Sequence, residues 1–331
     1  MLFNDPRSAA RPADGDAPLT AVPDAGAGRP ARWAVSAWVR LPVLFVLMLV
    51  VDAITAGIND AADGTPLTAL VTGVATGGLA LAAYAGLVRY LEGRRPQELA
   101  LSRARSQLTR GALLGLGLFS LTIGLVAMVG DYHVRGWGSI GGALTTLGLM
   151  SCVSVTEELA FRGALFRVLE EKAGTYGAVV VSGLVFGGLH LVNKDATVWG
   201  ALSIAVESGL MFGALYAATR SLWPAIGLHF AWNAAEQGIY GTAVSGAGTG
   251  TGGLLRAYVS GPDILSGGSF GPEASVFAIL VCSVPTVLLL RAAARRDRIH
   301  HRGEPAGARR GLPRPTTSAP RRSTRSETVD Q

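Results

Sequence analysis

The 331-residue chain is 49% hydrophobic and only 16% charged, with a mean hydropathy of +0.37. Soluble globular domains carry about 25% charged residues and lack long uncharged runs. An ordinary soluble domain is therefore excluded. The two cysteines, Cys152 and Cys282, fall in apolar stretches without CxxC or CxxH spacing, so neither a disulfide framework nor a zinc ribbon is indicated. Both read as small packing residues.

Residues 1–32 are rich in Ala, Pro, Gly, Asp and Arg, show no periodicity, and read as a disordered tail. They contain no apolar h-region of the kind a cleaved signal peptide needs. Residues 33–291 read as the transmembrane domain. About 20 apolar residues cross the roughly 30 Å hydrocarbon layer as a helix. On that basis the sequence predicts about eight spans, at 36–58, 66–88, 111–130, 147–171, 175–191, 199–218, 222–240 and 274–291. Residues 139–146 extend the fourth helix or form an interfacial turn. The expected fold class is all-α, a polytopic helical membrane protein with a polar site within the membrane. Glycines inside the apolar runs fit close helix–helix approach.

Loop charges predict the orientation. The loop 89–110 holds Arg89, Arg94, Arg95, Arg103, Arg105 and Arg110, and later connections on the same side carry Lys172 and Arg220. The alternate loops are weakly charged, among them the Gly/Ser/Thr-rich stretch 241–273. Both termini are expected in the cytoplasm of a multi-pass cell-membrane protein. The segment 292–331, dense in Arg and Pro, reads as a basic disordered tail, with attraction to anionic lipid as a secondary effect. No folded module or interleaved aromatic set points to nucleic acid.

Charged side chains inside spans cost a few kcal/mol each and mark function by default. Here they cluster: Glu157, Glu158 and Arg162 in the fourth span, His190 at the end of the fifth, and His229 and Asn233 in the seventh. Glu207 and Glu236 lie in the sixth and seventh. A turn at 172–175, containing Gly174, places Glu157 fifteen residues before it and His190 fifteen after it. At a helical rise of about 1.5 Å per residue, both lie about 22 Å from the turn, level across a hairpin. Glu158 and Arg162, and His229 and Asn233, are i,i+4 pairs. Glu157 points about a quarter-turn from Glu158. Arg162 is then placed to neutralise one carboxylate while the other faces a cavity, where it is suited to act as a general base on water.

The ordered set Glu-Glu-x-x-x-Arg (Glu157, Glu158, Arg162), Phe-x-x-x-His (Phe186, His190) and His-x-x-x-Asn (His229, Asn233) resembles the CPBP intramembrane proteases. That family includes the type II CAAX prenyl endopeptidases and bacterial abortive-infection-like proteins. The resemblance covers about residues 145–240. It implies an intramembrane endopeptidase acting on a membrane-associated peptide or protein. Glu157 and His190 would activate water, His229 and Asn233 would stabilise the oxyanion, and Arg162 would hold Glu158. It also raises zinc held by Glu157, His190 and His229, although the same residues could work without metal.

Blander readings stand beside these. Glu158–Arg162 alone could be a structural ion pair, and a lone His190 a hydrogen-bonded interhelical histidine. Phe161 and Phe186 read as packing residues, and His133, His300 and His301 as loop or tail residues. Glu236 is expected near enough to its helix end to reach water, and Glu207 to be an outer partner of the site. The rival functions are a transporter, which predicts repeated halves or broken helices, and a catalytically silent peptide-binding or immunity scaffold. No repeat is visible, and neither His-Glu-x-x-His nor Gly-x-Ser-x-Gly occurs.

Overall fold

The computed structural model describes residues 36–62, 64–248 and 252–302. The expected tail over 1–32, and residues 303–331 of the tail expected over 292–331, lie outside the described residues. The helices are α1 (Ala37–Ala61), α2 (Pro66–Glu92), α3 (Ala104–Met128), α4 (Ile140–Glu158), α5 (Arg167–Leu189), α6 (Val198–Ile204), α7 (Met211–Thr219), α8 (Trp223–Asn233), a short α9 (Asp263–Ser266) and α10 (Val276–Arg295). Their starts are written in the sequence. Thr65 and Thr68 form a capping box ahead of Pro66, and the hydroxyls of Ser139, Thr197 and Ser275 accept the first free N–H groups of α4, α6 and α10.

The protein is a predominantly helical, all-α-class polytopic membrane protein. Six helical stretches among the described residues are long and apolar enough to cross a membrane. The predicted count of eight differs for two visible reasons. The stretch Ile140–Val192 contains two antiparallel runs, broken where Gly174 adopts φ 72°, ψ 174°. The segment beginning at α8 is short, eleven residues of α-helix followed by six of π-helix. Residues 140–146 belong to α4, with Ser139 as its cap, as one of the two sequence options had it.

Three π-helical turns interrupt the core: Leu159–Phe166 after α4, Ala205–Leu210 after α6 and Ala234–Ile239 after α8. Such turns leave part of the i→i−4 ladder out of register and recur at functional sites. Two strands were not foreseen. β1 (Tyr132–Trp137) pairs antiparallel with β2 (Leu255–Val259), so His133 lies in a strand, where its ring stacks on Tyr258 and meets the Ser260 hydroxyl. Residues 292–302 of the segment expected as a tail pack against the helices. α10 runs to Arg295, after which Arg298 bonds the Ala218 carbonyl and His300 exchanges backbone contacts with Thr175.

Close backbone approach fixes the helices that carry the polar groups. A Cβ on Gly115 of α3 would sit 2.2 Å from the carbonyl oxygen of Leu228, the residue before His229. A Cβ on Gly187 of α5 would sit 2.2 Å from the Ala201 carbonyl. Only glycine allows either contact. At the end of the bundle that holds the 89–110 loop, Glu92 pairs with Arg40, Arg94 and Arg167, tying α1 and α2 to α5.

Candidate active site

Arg162 and Glu158 are both fully buried and joined at 2.8 Å. A pair taken out of water is tolerated only when its remaining donors and acceptors are met. Here Arg162 Nη2 donates to the carbonyls of Ser208 and Gly209, each at 3.2 Å, in the π turn after α6, while Arg162 Nε and Glu158 Oε2 meet no partner among the described residues. The guanidinium lies 4.7 Å from the ring centre of Phe186 and 4.9 Å from that of Phe212, a cation–π sandwich. Phe186 therefore packs, as expected, but it packs against the charge. Phe161 meets Phe186 edge to face at 4.8 Å.

The Glu158 oxygen that takes Arg162 also accepts from His229 Nδ1 at 3.1 Å. A carboxylate only accepts, so the proton is assigned to Nδ1, and Nε2 is turned toward Glu157, 3.8 Å from its Oε2. That gap is too long for a direct hydrogen bond. His190 is oriented similarly: its Nδ1 lies 2.7 Å from the Phe186 carbonyl, leaving Nε2 as the free ring nitrogen. Glu157, His190, His229 and Asn233 all line one cavity of about 350 Å³, drawn from three different helices. Glu158 and Arg162 lie behind that wall.

Several nearby groups escaped the sequence reading. Asp52 of α1 accepts from the hydroxyl of Thr156, the neighbour of Glu157, at 2.5 Å. A lone acid inside an apolar span is the signal that could have found it. Glu273 lines the cavity from a short 3-10 turn before α10 and carried no such signal, lying in a Gly/Ser-rich stretch without periodicity. Glu236 corrects an expectation. It is completely buried and faces Glu273 rather than water, because Gly271 and Glu273 pack over its carboxylate. Glu207 accepts from the Ser208 hydroxyl at 2.7 Å and meets the Cys282 thiol at 3.7 Å. Cys282 is thus a buried contact of an acid as well as a packing residue.

A zinc site needs three or four ligands converging within about 2.3 Å of one point. Among the described residues no three His, Cys, Asp or Glu side chains are placed to hold a metal ion, so the expected set of Glu157, His190 and His229 is not assembled as a ligand cluster.

Buried acids and histidines around a polar cavity, inside helices long enough to span a bilayer, define a polytopic membrane protein with an intramembrane polar site. Residues 139–235, under a third of the chain, match the family described as Type II CAAX prenyl endopeptidase Rce1-like. No curated protein and no solved structure matches the chain. The matched segment contains all six predicted site residues, whereas Asp52, Glu236 and Glu273 lie outside it.

Proposed function

We propose that the protein is an intramembrane endopeptidase that hydrolyses a peptide bond of a membrane-associated peptide or protein by activated water. The observation that carries this reading is the convergence of Glu157, His190, His229 and Asn233 on one cavity. Glu157, with His190, takes a proton from a water molecule as its oxygen attacks the scissile carbonyl carbon. The carbonyl becomes a tetrahedral oxyanion, stabilised by the Asn233 amide and by Nε2–H of His229 in its protonated form. The proton then passes to the leaving amine, the C–N bond breaks, and an acid and an amine are released. Glu158 holds His229 through Nδ1, and Arg162 holds Glu158. Glu157 and His190 carry the water activation without a metal. The cell membrane is the proposed location, with both termini cytoplasmic, as the loop charges suggest.

The test is purified protein in detergent incubated with a pool of apolar peptides and read by mass spectrometry. Wild type should release fragments, while Glu157→Gln and His190→Ala should release none at unchanged folded yield. Fragment release by Glu157→Gln at the wild-type rate would refute the assignment.

A further inference from the structure

The site has a fourth side that no helix supplies. Residues 244–248 run across the cavity without regular secondary structure, and Val244, Ser245, Ala247 and Gly248 line it. A free loop would be a poor wall, since ordering each of its residues costs conformational entropy. This one is pinned from two directions. Glu273, only 2% exposed, accepts from both the N–H and the hydroxyl of Ser245, at 2.9 and 2.7 Å. Its other oxygen accepts from the indole N–H of Trp232 at 2.9 Å, and Trp232 lies between His229 and Asn233 on α8. On the opposite side, Asn193, three residues after His190, donates to the Ser245 carbonyl at 2.6 Å, and the Asp195 N–H donates to the Gly246 carbonyl at 2.8 Å. Ser245 itself sits at φ 52°, uncommon for a residue with a side chain and held here by those bonds.

A carboxylate is buried at a cost of several kcal/mol unless its oxygens are met, and Glu273 meets three donors, two of them on this loop. The loop is thereby referenced to the His190 helix at one end and to the His229–Asn233 helix at the other. The geometry points to residues 244–248 as a substrate-contacting wall that sets which side chains the cleft admits, with Glu273 and Asn193 as the positioning residues that fix it. This rests on the hydrolase reading for its substrate, an apolar peptide in extended form. Ala247 is the exposed member of the wall, facing the cavity with the smallest chiral side chain.

The experiment uses the full chain in detergent with a pool of apolar peptides randomised at each position. Ala247→Trp should lower kcat/KM about tenfold for peptides bearing a large residue at one subsite while leaving small residues there nearly unaffected, the scale of discrimination that filling a pocket gives. Glu273→Gln leaves one acceptor oxygen where two served and should raise KM about tenfold with a smaller change in kcat. Glu273→Asp should recover part of the loss, and a thermal melt within a few degrees of wild type separates positioning from unfolding. In parallel, a benzophenone side chain placed at Ala247 should capture peptide on irradiation, and one placed at Val134 in β1 should not. Cleavage with an unchanged profile for both variants would overturn the wall. Capture at Ala247 without cleavage by wild type would support the wall and refute the hydrolase, and absence of capture at Ala247 would overturn the wall whether or not cleavage occurs.

Discussion

Replacing Arg162 with methionine isolates the buried ion pair. Methionine fills much of the volume of the Arg162 stem, so little of the effect is cavity formation. What is lost is the 2.8 Å bond to Glu158 and the two 3.2 Å bonds to the Ser208 and Gly209 carbonyls. Removing one partner of a buried pair strands the other and costs about 3–5 kcal/mol. At about 2–4 °C per kcal/mol, the unfolding midpoint should fall by about 6–20 °C. The assay is tryptophan fluorescence melting in one detergent at fixed protein concentration. The double variant Arg162→Met, Glu158→Gln should recover about half the loss, because the stranded charge has gone. It should still cleave poorly, since the Glu158 carboxylate that orients His229 has gone with it. A single variant melting within 2 °C of wild type, or a double variant no more stable than the single, would refute the account of Arg162 as the counter-charge on which the buried site depends.

Three further outcomes follow from the geometry. Treatment with a strong chelator should leave peptide cleavage unchanged, with substoichiometric metal in active protein; loss of activity restored by zinc alone would show that the side chains rearrange around a metal. Gly115→Leu should abolish folded yield in detergent, since its Cβ would meet the Leu228 carbonyl at 2.2 Å in the α3–α8 contact; a well-behaved monodisperse peak on size exclusion would contradict that packing. Tyr132 donates to the Tyr240 carbonyl at 2.8 Å, and burial with the neighbouring Tyr240 pushes its phenol up to about 12. The raised value means its stabilisation is complete below about pH 10 and is lost as pH rises through about 12. Tyr132→Phe should therefore flatten the alkaline fall in melting temperature between those values, and an identical fall in both proteins would remove Tyr132 from the explanation.

Much of the site was legible because it obeys helical periodicity. The i,i+4 spacing of Glu158 and Arg162 became a bond, and the Gly174 turn brought Glu157 and His190 to one cavity, as equal distances from the turn required. What periodicity cannot carry is long-range closure. The β1–β2 pairing joins residues more than a hundred apart, and its strands are too short and too Gly-flanked to stand out. Glu236 looked solvated because its distance along the helix says nothing about Gly271 and Glu273 packing back against it. Glu273 and Ser245 matter through contacts with one another, which no local pattern encodes. Asp52 is the different case: an acid in an apolar run carries its own signal, and its partner Thr156 adjoins Glu157.

The π turn at Leu159–Phe166 ties helix length to chemistry. It sits between two sets of fixed points: Glu157 and Glu158 above it, and below it Arg167, held by Glu92, and Glu170, held by Arg220. One residue fewer would restore an unbroken α-helix and improve its backbone hydrogen bonding. It would also turn the lower half by about 100° and shift it by about 1.5 Å relative to the upper half. Both sets of fixed points could not then be satisfied together. The surplus residue acts as a phase adjuster, and residue count in this segment is as much a part of the active site as the identity of its glutamates.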